Sequence, residues 1–178
     1  MSRSDPHRLS GNTRALVRAL QAICAVMALT LVALAAILLA RPELVVSLGD
    51  GWPLAHLPDG RLRWAAIALA LALLVPPLVA ATALFRLSTA FLRGRVFEPA
   101  AARHLARAGH ALLWAAALGF LARPGFDLLV GWSQGRGSVA IELSSADLWV
   151  FGGGLLLLTL GRVLEEAGRL ARENAAFV

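Results

Sequence analysis

Residues 19–40 and 64–85 form two runs of 22 residues without a charged side chain. As helices, each is long enough to cross the hydrocarbon core of a bilayer, which takes about 20 residues. Residues 108–122 and 148–161 are shorter uncharged runs that reach spanning length only by borrowing flanking residues. With 178 residues and 58% hydrophobic composition, the chain has no polar segment long enough to enclose these runs in a soluble core. The pattern predicts an all-α fold, a four-helix transmembrane bundle forming one membrane domain over residues 13–178. Its spans fall at about 15–40, 64–86, 106–131 and 145–164.

Residues 1–12 carry Ser, Asp, Pro and Gly without apolar periodicity, which predicts a disordered tail. The first uncharged run exceeds the ~7–15 residues of a signal-peptide core and ends at Arg41-Pro42 without a small-x-small site, so it is expected to remain as a span. Gly49-Asp50-Gly51-Trp52-Pro53 and Pro58-Asp59-Gly60 predict a loop before the second span. Pro76-Pro77 removes two backbone donors near the middle of that span, where a kink is expected. The helix should run to about Leu92, with Gly94 as its C-cap.

A third helix is expected to start at Pro99, with Glu98 complementing the positive helix end and Phe97 folding back against the first turns. Arg123 and Asp127 lie four apart across Pro124, on one helical face, and can pair there. Residues 131–138 are expected to form a loop. Ser144 and Asp147 have capping-box spacing, the hydroxyl accepting from the third helical amide and the carboxylate reaching back. Gly152, Gly153, Gly154 and Gly161 leave shallow places where another backbone can approach. Beyond Arg162 the helix turns amphipathic, with Leu164, Ala167, Leu170 and Ala171 against a charged face on which Glu165 can pair with Arg169. The third and fourth helices should therefore extend out of the membrane as helical stubs.

Charge adds an orientation. All 17 basic side chains are arginine. Twelve of them flank the spans on one side: Arg3, Arg8, Arg14, Arg18, Arg86, Arg93, Arg95, Arg103, Arg107, Arg162, Arg169 and Arg172. Five, Arg41, Arg61, Arg63, Arg123 and Arg136, fall on the other. The positive-inside rule then puts both termini and the middle loop in the cytoplasm. The Ala, Arg, Leu and Gly bias fits a bacterial coding sequence, so the expected location is the bacterial cytoplasmic (inner) membrane. A net charge of +6 would suggest nucleic acid in a soluble protein. Here the arginines punctuate spans and build no reading element, so anionic membrane lipid is the expected counter-charge and direct nucleic-acid binding is not expected.

Candidate chemistry is sparse. His7, His56, His104 and His110 are spread over three segments, and the nearest two are six apart, so no metal site is expected. Cys24 is the one cysteine, without a credible base and unable to form an intramolecular disulfide. There is no Gly-x-Ser-x-Gly, and Gly135-Arg136-Gly137-Ser138 lacks the lysine and flanking strand of a phosphate loop. A transport path needs polar groups at membrane depth. The spans offer only Gln21, Thr30, Thr82 and Thr159, with Arg123 and Asp127 near one end.

Two segments carry a resemblance: Gly94-Arg95-Val96-Phe97-Glu98-Pro99 followed by Arg103, His104 and Leu105, and the closing stretch from Leu164-Glu165-Glu166 to Glu173-Asn174-Ala175-Ala176-Phe177-Val178. They resemble the bacterial domain-of-unknown-function family 2975, small four-span proteins with a G-x-x-F lead-in to the third helix and an E-N-x-x-x-V ending. Pro76 and Pro124 also stand where such proteins tend to carry proline. Glu98-Pro99 departs from the usual small hydroxyl cap, and Ala175 from the acidic residue that often follows Asn174. The resemblance implies a membrane protein without established activity and a link to a small helix-turn-helix regulator, which such genes often accompany.

The expected function is therefore non-enzymatic and needs no cofactor: action through a cytoplasmic face, with a small transporter or channel subunit as the alternative. Candidate interaction or structural residues are Phe97, Glu98, Arg123, Asp127, Glu165, Glu173, Asn174 and Val178. The expected partners are membrane lipid, a further copy of the chain and a cytoplasmic regulator protein.

Overall fold

A computed structural model describes residues 11–40, 60–93, 99–134 and 144–175. These residues form four helices: α1 (Gly11–Ala40), α2 (Gly60–Leu92), α3 (Pro99–Gln134) and α4 (Ser145–Ala175). Each holds a stretch long and apolar enough to cross a membrane, namely Gly11–Ala40, Arg63–Leu92, Pro99–Ala122 and Ser145–Leu170. The chain is an all-α, multi-pass membrane protein.

Three expected boundaries move, the first being the start of α2, which takes in Gly60 to Arg63 from the end of the expected loop. Helix α1 already includes Gly11 and Asn12, which the sequence placed in the tail. The first four amides of a helix have no intrahelical acceptor, so the exact start is weakly specified. Helix α3 continues through residues 131–134, where a loop was expected. Pro124 removes one amide, the one that would bond Phe120, and a membrane helix tolerates that loss when its other backbone bonds stay intact. In α2, Pro76 and Pro77 likewise lie inside one continuous helix, Pro76 buried and Pro77 half-buried. The rest of the tail, the 41–59 loop, Gly94 and residues 135–138 of the expected loop lie outside the described residues.

The start of α4 shows how the capping box is built. The carboxylate of Asp147 accepts from the Ser144 amide at 3.2 Å, as expected. Ser144 Oγ, however, accepts from the second helical amide, Ala146, also at 3.2 Å, rather than the third. The Asp147 amide instead donates to the Ser144 carbonyl at 3.0 Å, a tighter turn that leaves the hydroxyl to Ala146.

Successive helices pack against one another and run antiparallel. Gln21 near the start of α1 meets Thr89 near the end of α2. Gly125 of α3 faces Leu69 of α2, Gly119 faces Asp147 of α4, and Gly161 of α4 faces Ala106 of α3. Within their most apolar 18 residues, α2 and α3 are each 28% buried, against 11% for α1 and for α4, so the first and last helices form the edges.

Among the described residues, eleven of the fifteen buried apolar ones are alanine, Ala66, Ala80, Ala101 and Ala108 included. The large apolar side chains instead point outward, Leu29, Leu156 and Trp149 included. That inversion of a soluble core follows from a solvent of hydrocarbon tails, in which burying leucine gains little and close backbone approach gains dispersion contacts.

The closest approach is a glycine seam between α3 and α4. A Cβ added to Gly109 would lie 2.7 Å from the Leu158 nitrogen and 2.8 Å from the Gly154 carbonyl oxygen. One added to Gly154 would lie 3.1 Å from the Gly109 oxygen, and one added to Gly161 3.0 Å from the Ala106 nitrogen. At Gly109 and Gly154 the space that a side chain would take on either helix is thus filled by the backbone of the other. Gly154, Gly161 and Gly168 stand seven residues apart and are all buried. Gly152 and Gly153, grouped with them in the sequence reading, have open space instead. The glycines also redirect the expected amphipathic face of α4. Leu164 is half-buried beside this stripe, whereas Ala167 and Leu170 are exposed, because contact follows the residues that allow the nearest backbone.

Candidate interaction face at the basic end

The antiparallel order brings the start of α1, the end of α2, the start of α3 and the end of α4 to one end of the molecule. That end carries Arg14 and Arg18, Arg86 and Arg93, Arg103 and Arg107, and Arg162 and Arg169. All eight are exposed. Arg169 donates to Glu166 and approaches Glu173 at 3.9 Å. The other seven have no carboxylate or hydrogen-bond partner among the described residues. Arg107, Arg86 and Arg103 all act electrostatically on His104, so the field of Arg86 on α2 reaches the start of α3.

A polar link sits just inside this end. Gln21 Nε2 donates to Thr89 Oγ1 at 3.0 Å, tying α1 to α2, and Thr89 Oγ1 donates to the Phe85 carbonyl at 2.9 Å. Beside it, Ser88 Oγ donates to the same carbonyl at 2.7 Å. Both α2 hydroxyls thereby stay satisfied, and that of Thr89 also accepts from the neighbouring helix. Gln21 was visible in the sequence as a polar residue within an apolar run, but nothing local identified Thr89 as its partner. The glycines at 154, 161 and 168 were detectable as a seven-residue repeat, and Gly109, isolated on α3, was not.

Deeper in the spans, the hydroxyls are used within their own helices. Thr30 donates to Val26 at 2.9 Å, Thr82 to Val79 at 3.0 Å and Thr159 to Leu155 at 2.9 Å. Among the described residues, no three His, Cys, Asp or Glu side chains gather as a metal site would require.

The candidate residues fall into two places. Glu165, Glu173 and Asn174 are exposed on the last turns of α4, next to the basic end. Glu165 does not pair with Arg169 as its spacing suggested, because Arg169 turns to Glu166 and Glu173 on the adjacent strip of the helix. Arg123 and Asp127 belong to α3 at the opposite end, where Gly119 meets Asp147 and Gly125 meets Leu69. Their helical backbone keeps them four apart on one face, and their side chains lie outside the description. Phe97, Glu98 and Val178 also lie outside the described residues.

Comparison with curated proteins and with solved structures gives no match. A family described as proteins of unknown function, DUF2975, matches residues 53–178. The matched segment takes in α2, α3 and α4 and begins after α1. Since it covers most of the chain, including both helices of the glycine seam, the protein belongs to the DUF2975 family.

Proposed function

We propose that this protein is a non-enzymatic component of the bacterial cytoplasmic membrane that acts through its basic end, turned to the cytoplasm, by engaging a partner protein there. The observation that carries the reading is the gathering of exposed arginines from all four helices at one end, seven of them without an acidic partner among the described residues. Arginine flanking spans in this one-sided way is what fixes cytoplasmic orientation. Helix α4 continues past its membrane stretch to Ala175, carrying exposed Glu173 and Asn174 as a ledge beside the arginines. A small helix-turn-helix regulator is the partner class that the family resemblance suggests for that ledge.

A transporter or channel subunit is less well supported. The hydroxyls of Thr30, Thr82 and Thr159 are spent on carbonyls of their own helices, which leaves little for a solute at depth.

Topology reporters fused after Gly94 and after Val178 should read cytoplasm, and one after Asp59 the outside. A photo-crosslinker placed at Glu173 in cells should capture a protein partner, whereas capture by a crosslinker at Thr82 of a small solute, with none at Glu173, would favour transport. A cytoplasmic signal at Asp59 would overturn the orientation.

A further inference from the structure

We propose that the junction of α1 and α2 at the basic end is a binding site for an anionic phospholipid, one acyl chain lying in a groove between the helices and the phosphate held by Arg86. The groove has a volume of about 260 Å³. Its walls are Cys24, Ala25 and Ala28 of α1 and Ala81, Thr82 and Phe85 of α2, with Arg86 at the rim. Small side chains on both helices leave the space. Thr82 Oγ1 is turned away to the Val79 carbonyl, so the lining presents almost no polar group. The Gln21 to Thr89 hydrogen bond bounds the groove toward the basic end.

Charge complementarity selects the occupant. Arg86 is exposed and has no carboxylate or hydrogen-bond partner among the described residues, and the positive field that it shares with Arg107 and Arg103 reaches His104 of α3. An apolar channel that begins at an unpaired guanidinium matches the join between a lipid phosphate and its hydrocarbon chain. The volume lies below the ~300–1,000 Å³ of small-molecule pockets, which suits part of an acyl chain better than a soluble metabolite. A second copy of the chain fits poorly. In the same orientation, its own arginine-rich end would lie at this level, and like charges would oppose the contact. The inference rests on the part of the proposed reading that puts the basic end at a membrane surface, and needs no partner protein.

The test uses the full chain in liposomes carrying traces of phosphatidylglycerol with a photoactivatable diazirine in its acyl chain, or phosphatidylcholine with the same chain. Adducts are mapped by peptide mass spectrometry. Adducts at residues 24–28 and 81–85 should be about fivefold more frequent from the anionic probe, the selectivity that one arginine near a surface supplies. Arg86→Gln should abolish that preference, Arg86→Lys should keep most of it, and Ala28→Phe should reduce groove adducts from both probes. Labelling of the outward Leu156 and Leu160 on α4 reports insertion and should change in none of the variants. Equal groove labelling of the wild-type chain by the two probes overturns the proposal, as does an anionic preference that survives Arg86→Gln. Protein–protein adducts at the groove in place of lipid adducts would assign it to a second copy and also overturn it. Because the vesicles contain only this chain and lipid, failure here leaves the partner-protein reading standing, and absence of a cellular partner leaves this result standing.

Discussion

Gly109→Ala adds one methyl group where α3 and α4 lie closest. Its Cβ would stand 2.7 Å from one backbone atom of α4 and 2.8 Å from another, against 3.4 Å or more for ordinary contact. Neither obstacle can rotate aside, because both belong to the helix backbone. The helices must separate locally by about 0.7 Å, the shortfall from 2.7 to 3.4 Å. A gap of that size forfeits a quarter to a half of each dispersion contact along the nearby seam and strains the Gly109 to Gly154 approach. The cost should be that of overpacking a close interface, about 1–3 kcal/mol.

The protein supplies its own graded controls. Gly161→Ala and Gly154→Ala meet atoms at 3.0 and 3.1 Å, and Gly154 meets partly a leucine side chain that can yield, so both should cost less than Gly109→Ala. Gly119→Ala meets only Asp147 Oδ1 at 3.7 Å, and Gly152→Ala and Gly153→Ala meet nothing within 4 Å. These three should be neutral or slightly stabilising, since alanine is the better helix former by up to about 1 kcal/mol. The measurement heats the detergent-solubilised variants and reads the fraction that remains monodisperse. If Gly109→Ala survives heating as well as Gly152→Ala, the seam is not where these helices are held, and the packing argument fails.

Breaking the α1 to α2 link by Gln21→Leu should cost about 0.6–1.7 kcal/mol in the same assay, and in a cycle with Thr89→Val the double variant should lose less than the sum of the single ones. Strict additivity would show that the 3.0 Å contact carries no coupling. For Arg123 and Asp127, Asp127→Ala should destabilise more than the double change with Arg123→Ala, because the single change strands a partly desolvated charge. Losses that merely add would mean the two are not partners. At the basic end, Phe97→Ala and truncation after Arg169 should each quicken limited proteolysis in inside-out vesicles while insertion stays normal, and unchanged cleavage in both would mark these segments as independent tails.

Charge and apolar run length were enough to read four helices, because a bilayer imposes length and satisfied backbone bonds on whatever crosses it. Pro99 as a helix start and Asp147 reaching back to Ser144 were equally legible, being short-range consequences of unsatisfied terminal amides. Contacts between helices were harder to foresee. Gly152, Gly153 and Gly154 are equivalent in composition, yet only Gly154 meets α3, because the helical turn points adjacent residues in different directions. Leu170 looked like part of a packing stripe and is exposed, since in this fold small residues rather than large ones mark the interface. The site suffered from the same limit. Glu165 had the favourable spacing to Arg169, but local spacing could not show that Glu166 and Glu173 compete for the same guanidinium.

The two sides of the helix row are held by different means, and that difference bears on where the protein can respond to its surroundings. Between α3 and α4, backbones touch through glycines, so even a small displacement loses many contacts at once. Between α1 and α2, by contrast, the basic end is tied by the Gln21 to Thr89 hydrogen bond, next to a groove that alanines leave unfilled. An interhelical hydrogen bond in a membrane is worth only about 0.6 kcal/mol on average, close to thermal energy. Moving α1 against α2 at this end therefore costs less than parting α3 from α4. An acyl chain in the groove would add dispersion contacts to both helices and raise that cost, so lipid composition would set how firmly α1 is held. Helix α1 precedes the segment matched by the family, and α2 to α4 lie within it. The glycine seam thus belongs wholly to the matched segment, whereas the lipid-sensitive junction joins that segment to the helix before it.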